Sequence, residues 1–232
     1  MTDSASSVVR LLDIWIFDFD ALEVEEGVLS DKEKTKADGY IKKNDQINYQ
    51  LSHIYLRKTL SHYAPKIQAK EWVFITNEFG RPSLISEQFF GLHFNISHND
   101  EYFCIIISSV EQCGIDVETV KPIDLDEHLL DMIFSKNEKK RLIDAQKDLT
   151  VFYKCWTLKE AHLKALGKGL SIQPNQISFE EPIHHFNEEG FYFCEDEKNH
   201  YWVQSLKNNS IVSFTVLNSL YLAPKFCAID QL

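Results

Sequence analysis

Glycine and proline are scarce in this chain, 8 and 6 of its 232 residues, and no Gly/Ser-rich or Pro-rich stretch interrupts it, so low-complexity segments and flexible linkers are excluded. Basic charge is in deficit too: 24 Lys plus Arg against 35 Asp plus Glu leave a net charge of −11, which argues against a general nucleic-acid binder. No apolar run approaches the ~20 residues of a membrane span. The first residues, Met1 to Ser7, lack the basic flank of a secretory signal, and no cleavage-site pattern follows, so a cytoplasmic location is expected. Five cysteines, Cys104, Cys113, Cys155, Cys194 and Cys227, form no C-x-x-C pair; they read as reduced core residues rather than zinc ligands or a redox dithiol. What is present is ordinary for a globular protein, 44% hydrophobic and 25% charged residues, in a chain long enough to bury roughly 70% of its unfolded surface without disulfides or structural metals.

Periodicity divides the chain into mixed elements. Residues 11–19 read as a strand; Ser30, with Glu33 three residues on, has the spacing of a capping box opening a helical stretch that runs to about Ser61. Strands follow at Trp72–Thr76 and Leu92–Ile96, separated by the turn Phe79-Gly80-Arg81-Pro82. Tyr102–Ser109 and Gly114–Glu118 look like a hairpin turning through Val110–Cys113. Helices are expected at Asp126–Phe134, Lys136–Ala145 and Thr150–Leu166, the last stopped by Gly167. The remaining strands are Ile177–Glu180, Phe191–Cys194, Tyr201–Leu206 and Ile211–Leu217. The fold class is α/β (α+β), two halves each with helices and a small antiparallel sheet, split near residue 110.

Three segments carry chemistry. In Gly114-Ile115-Asp116-Val117-Glu118 the two acids share one face of a strand, with Cα atoms roughly 6–7 Å apart. Hard oxygen ligands so placed suit Mg²⁺, which leaves room for substrate phosphate; a solvated strand edge has the same pattern. Within Thr150–Leu170, Trp156, Glu160 and Lys164 share a helix face. An exposed ion pair beside an aromatic is one account of them, a site mouth within reach of Lys159 another. Phe94-Asn95-Ile96-Ser97-His98 ends a strand on a hydroxyl and an imidazole that can donate to phosphate oxygens, or that simply open a turn.

Together these segments are similar to a known pattern. F-N-[IL]-S-H, then G-[IV]-D-[IV]-E, then W-[ST]-x-K-E-[AS]-x-x-K-x-x-G-x-G-L stand here in order at Phe94–His98, Gly114–Glu118 and Trp156–Leu170, with Phe79–Pro82 in place of [YF]-G-[KR]-P. The chain thus resembles the longer single-chain class of 4′-phosphopantetheinyl transferases, typified by the enzyme of surfactin biosynthesis. The resemblance covers about Ser30 to Leu170.

That resemblance implies an enzyme of the holo-[acyl-carrier-protein] synthase type. It moves the phosphopantetheine arm of coenzyme A to a serine of an apo acyl or peptidyl carrier protein and releases 3′,5′-adenosine bisphosphate. The carrier would be one of fatty-acid, polyketide or non-ribosomal peptide biosynthesis. It implies Mg²⁺, or Mn²⁺, held by Asp116, Glu118 and Glu160, with Glu160 the base and Lys164 on the pyrophosphate. Coenzyme A would be contacted by Gly80, Arg81, Pro82, Ser97, His98, Lys159, Lys164 and Lys36. Residues 1–110 would form the adenosine side and 111–232 the metal side of a cleft in a monomer, with no nucleic-acid or membrane partner. One position departs: an arginine of many members is Asn48 here, so either Lys36, Lys42 or Lys43 compensates or coenzyme A is held more weakly. The carrier would dock on Lys136–Arg141, net +3, with Met132 and Phe134 as apolar anchors. Two other classes share parts of the pattern: a Mg²⁺-dependent phosphohydrolase or nuclease, and a non-catalytic carrier-binding paralogue.

Overall fold

A computed structural model describes residues 11–88, 91–179, 190–194, 198–219 and 223–232. Strand β1 (Leu12–Asp18) is followed by helices α1 (Asp31–Asp38) and α2 (Lys43–Tyr63), a short hairpin β2 (Phe74–Thr76) and β3 (Pro82–Leu84), then β4 (His93–His98), β5 (Tyr102–Ser108) and β6 (Cys113–Thr119). Helices α3 (Glu127–Ile133), α4 (Lys136–Asp144) and α5 (Leu149–Leu166) come next, then β7 (Gly190–Cys194), β8 (Asn199–Ser205), β9 (Ser210–Val216) and β10 (Lys225–Cys227). Among the described residues no helix is long and apolar enough to cross a membrane.

The strands form two four-stranded sheets, ordered β10-β1-β5-β4 and β6-β9-β8-β7, with β2-β3 as a separate ribbon. All pairs are antiparallel except β1 with β10. Alternation along the strands explains the layering. Trp15, Phe17, Phe103, Ile105 and Ile107 face α2 residues Leu51, Ile54 and Tyr55, while Leu12, Ile14, Cys104 and Ile106 face Ile115, Val117, Val212 and Phe214 of the second sheet. Tyr201, Val203 and Ile211 turn to the opposite side, against Phe152, Cys155 and Leu158 of α5. Helix, sheet, sheet and helix therefore stack around three apolar clusters. Cys104, Cys113, Cys155 and Cys227 are free and buried.

Each half carries the same polar device. In α1, Ser30 and Glu33 make a capping box, and Glu33 also accepts from Arg57 Nη2 of α2 at 2.8 Å. In α4, Ser135 and Glu138 make the second box, and Glu138 pairs with Lys159 of α5 at 2.8 Å. Both carboxylates are buried.

Three expectations change. Tyr102–Ser108 and Cys113–Thr119 are not a hairpin: β5 already has β1 and β4 on its two edges, so the chain crosses to the other sheet and β6 pairs with β9. No strand occupies 177–179. Instead, Lys159 Nζ donates to Ile177 O, and Phe179 N donates to Glu138 Oε1 at 3.0 Å, so side chains take the place of a ladder; Glu180 lies outside the described residues. And β10, near the C-terminus, is the edge strand of the first sheet, so the two stretches of chain are not kept wholly apart.

Candidate active site

Helix α5 opens on Asp148, whose carboxylate accepts from Thr150 N and Val151 N, and closes on Gly167 in the left-handed region at φ 66°. It lies directly on β6. A Cβ at Gly114 would stand 2.0 Å from Ala161 O and 2.6 Å from Ala165 N, so only glycine permits this approach. With Ile115 and Val117 in the core between the sheets, the alternate residues Asp116 and Glu118 face α5.

Strand β4 closes the other side. Its edge meets β6 without a backbone ladder; Asn95 Oδ1 accepts from Ile115 N at 3.0 Å and Ser97 Oγ from Val117 N at 3.4 Å. The Ser97 hydroxyl donates to Asp116 Oδ1 at 2.9 Å, and Lys164 Nζ donates to Asp116 Oδ1 at 2.7 Å, Ser97 Oγ at 2.8 Å and Ile115 O at 3.2 Å. Asp116 Oδ2 is buried with no hydrogen-bond partner. Burial first, and then the negative charge of Asp116, raise the Glu118 carboxyl above its usual range, opposed by a hydrogen bond from the Trp156 side chain. The same two causes, in the same order, push Glu160 up to about 7, partly offset by Lys164. A carboxyl poised near neutrality in a cleft can take up and release a proton at physiological pH.

Glu160 and Lys164 line a cavity of about 270 Å³ together with Phe79, Gly80, Arg81, Pro82 and Ile96. The hairpin turn is tied to α5: Asn77 Nδ2 donates to Gly167 O at 3.0 Å and Arg81 Nη1 to Ala165 O at 3.1 Å. Arg81 Nη2 donates to Glu111 O and Cys113 O at 2.9 and 3.2 Å. Three of the Arg81 donors are thus spent on backbone carbonyls. A neighbouring cleft of about 360 Å³ lies beyond the Arg81 side chain. His98 ends β4 at the solvent rim, where the surrounding protein and then the charge of Lys164 hold its imidazole below the ordinary histidine range. Lys36 lies over the Tyr49 ring at 5.1 Å, apart from the cavity wall. Asn48 Nδ2 donates to Asp100 O at 3.4 Å.

Residues 112–216 match the model of the 4′-phosphopantetheinyl transferase superfamily, and residues 15–111 that of the 4′-phosphopantetheinyl transferase N-terminal region. The chain is similar to 4′-phosphopantetheinyl transferase Sfp of Bacillus subtilis (strain 168), 30% identical over 68% of this chain and 73% of that protein. It is also similar to 4′-phosphopantetheinyl transferase gsp of Aneurinibacillus migulanus, 33% identical over 60% of this chain and 56% of that one. This chain belongs to the 4′-phosphopantetheinyl transferase family. It is therefore one of the transferases that move phosphopantetheine from coenzyme A to carrier proteins.

A phosphopantetheinyl transferase must manage the charge of a diphosphate, and the donor chemistry here suits a divalent ion. Asp116, Glu118 and Glu160 offer hard oxygens, Asp116 Oδ2 is orphaned, and the Glu118 and Glu160 carboxyls are raised by burial and then by neighbouring negative charge. Among the described residues, however, no three His, Cys, Asp or Glu side chains are already gathered for an ion. Lys164 serves as the counter-charge of Asp116.

Lys159 is a correction. It does not reach the cavity: one residue before Glu160, and so turned about 100° around the helix from it, it is fully buried, and its three N–H groups go to Glu138, Pro174 O and Ile177 O. A buried, fully bonded ammonium has no donor left for phosphate. The expected docking patch changes for the same kind of reason. Phe134 is a core residue, Glu138 is buried, and Lys139 pairs with Asp131 at 2.7 Å, whereas Met132 is exposed.

Gly114 and Asn95 are the functional positions that sequence reading passed over. Gly114 had a signal, as a glycine opening an apolar strand; Asn95, polar between Phe94 and Ile96, had a weaker one.

Proposed function

We propose that this chain transfers the 4′-phosphopantetheine arm of coenzyme A to a serine hydroxyl of an apo acyl or peptidyl carrier protein, releasing 3′,5′-adenosine bisphosphate. The observation that carries this reading is the placement of Glu160 and Lys164 on one cavity wall with the Gly80-Arg81-Pro82 turn. Within that cavity, Gly80 and Pro82 bring backbone close to the adenosine end, and Arg81 keeps its unspent N–H groups for phosphate. Lys164 leaves Asp116 for the pyrophosphate and stabilises the departing phosphate. Glu160 accepts the proton of the carrier serine as its oxygen bonds the β-phosphorus and the bond to the adenosine bisphosphate breaks. His98, at the rim, faces the 3′-phosphate side with Lys36.

Asp116, Glu118 and Glu160 would hold Mg²⁺, or Mn²⁺, when it is bound. Such an ion supplies charge neutralisation on the diphosphate oxygens. Trp156, through its hydrogen bond to Glu118, orients one of those carboxylates. Residues 1–110 form the coenzyme side and 111–232 the metal side of one monomeric, cytoplasmic enzyme.

The test is incubation with coenzyme A, Mg²⁺ and a panel of apo carriers, read by intact mass. A gain of one phosphopantetheine arm on a carrier is expected. Hydrolysis of coenzyme A with every carrier left unmodified would instead make this a phosphohydrolase.

A further inference from the structure

We infer that Ser97 is a positioning residue that presents Asp116 and Lys164 across the junction of the two sheets, rather than a phosphate ligand. The inference rests on the transferase reading above for its reaction, though its first measurement does not. A serine hydroxyl has one proton to donate and two lone pairs. Here the proton goes to Asp116 Oδ1 at 2.9 Å, and the lone pairs accept from Lys164 Nζ at 2.8 Å and Val117 N at 3.4 Å. Ser97 is buried, so nothing is left to offer an incoming phosphate.

The placement gives the bonds a purpose. Ser97 stands on β4 of the first sheet; Asp116 and Val117 stand on β6 of the second, and Lys164 on α5. No backbone ladder joins β4 to β6. The two edges are stitched by side chains, Asn95 to Ile115 N and Ser97 to Val117 N. Asn95 bonds backbone only, so Ser97 is the stitch that also touches an ionisable group. By occupying Oδ1 together with Lys164 it leaves Asp116 with one defined unpartnered oxygen, the buried Oδ2. A group bound through one oxygen and oriented through the other is the arrangement in which an outer partner tunes a metal carboxylate.

The test compares the wild-type chain with Ser97→Ala and Ser97→Thr. Mn²⁺ affinity is measured alone, by electron paramagnetic resonance of free Mn²⁺. Coenzyme A affinity is measured by calorimetry without divalent ion, and kcat and KM with an apo carrier. Ser97→Ala is expected to weaken Mn²⁺ binding and lower kcat by about 10- to 100-fold, with the coenzyme A Kd and KM within about threefold of wild type. Ser97→Thr, which keeps the hydroxyl, is expected to restore both. A tenfold or greater loss of coenzyme A affinity with Mn²⁺ affinity unchanged would make Ser97 a phosphate ligand and overturn the proposal, as would an alanine variant equal to wild type in all three measurements. If the wild type transferred nothing to any carrier, the transferase reading would fall; a Mn²⁺ loss confined to the alanine variant would still uphold the role of Ser97.

Discussion

Lys164 Nζ lies 2.7 Å from Asp116 Oδ1, joining helix α5 to strand β6 at the floor of the cleft. A lysine that neutralises a carboxylate also competes with any other cation for it. Lys164→Met is therefore expected to raise Mn²⁺ affinity by about tenfold without coenzyme A, and to weaken coenzyme A binding. Lys121→Met, which removes a charge that also acts on Glu118, serves as the control for a general field effect and is expected to change Mn²⁺ affinity by less than about threefold, because an exposed charge is screened. Equal Mn²⁺ affinity in wild type and Lys164→Met would remove the competition.

Burial, and then the neighbouring charge of Asp116, push the Glu160 carboxyl up to about 7. As the proposed base it must be ionised, so kcat/KM is expected to rise with pH through that region and then level. Glu160→Gln should lose this acid limb and about 10²–10⁴ of the rate, while still binding coenzyme A. A bound divalent ion favours the carboxylate and should move the limb to lower pH. A pH–rate profile with and without Glu160→Gln is the check; an unchanged limb in the variant would assign the base elsewhere.

Glu33 is depressed to about 2: burial opposes its charge, but hydrogen bonds from His53, Ser30 and Arg57 outweigh that cost. A carboxylate with a lowered folded pKa stabilises the native state above its unfolded value and loses that contribution as pH falls from about 4.5 to 2. Arg57→Met removes the buried cation and leaves Glu33 with only Ser30 and His53, and a loss of about 3–5 kcal/mol is expected in urea unfolding near neutral pH.

Lys159→Met separates the corrected role from the expected one. Breaking its buried pair with Glu138 should cost about 3–5 kcal/mol of stability, with coenzyme A affinity within about threefold of wild type where the chain stays folded. A tenfold loss of coenzyme A affinity at unchanged melting temperature would return Lys159 to the phosphate site.

Gly114→Ala would drive a Cβ to 2.0 Å from Ala161 O. Because the obstacle is helix backbone, α5 must retreat, and a loss of roughly 1–3 kcal/mol is expected. Glu160 and Lys164 ride on the same helix, so kcat should fall together with the melting temperature.

The amino-acid sequence by itself determined the local features, because they rest on contacts between near neighbours. The Ser30–Glu33 cap, the stop at Gly167, the shared face of Trp156, Glu160 and Lys164 and the same-side pair Asp116 and Glu118 all follow from helix and strand repeats. The segments that meet at the cleft were also legible, through their motifs. What tertiary structure decided was which partner each group takes. Nothing in the run of residues says that β5 is already paired on both edges, so the hairpin to β6 cannot form. Nor does it say that Lys159 meets Glu138 while Lys164, five residues on, meets Asp116. Both lysines belong to one helix and carry one charge, and only the neighbours brought up by distant chain make one a buried brace and the other the cation of the cleft.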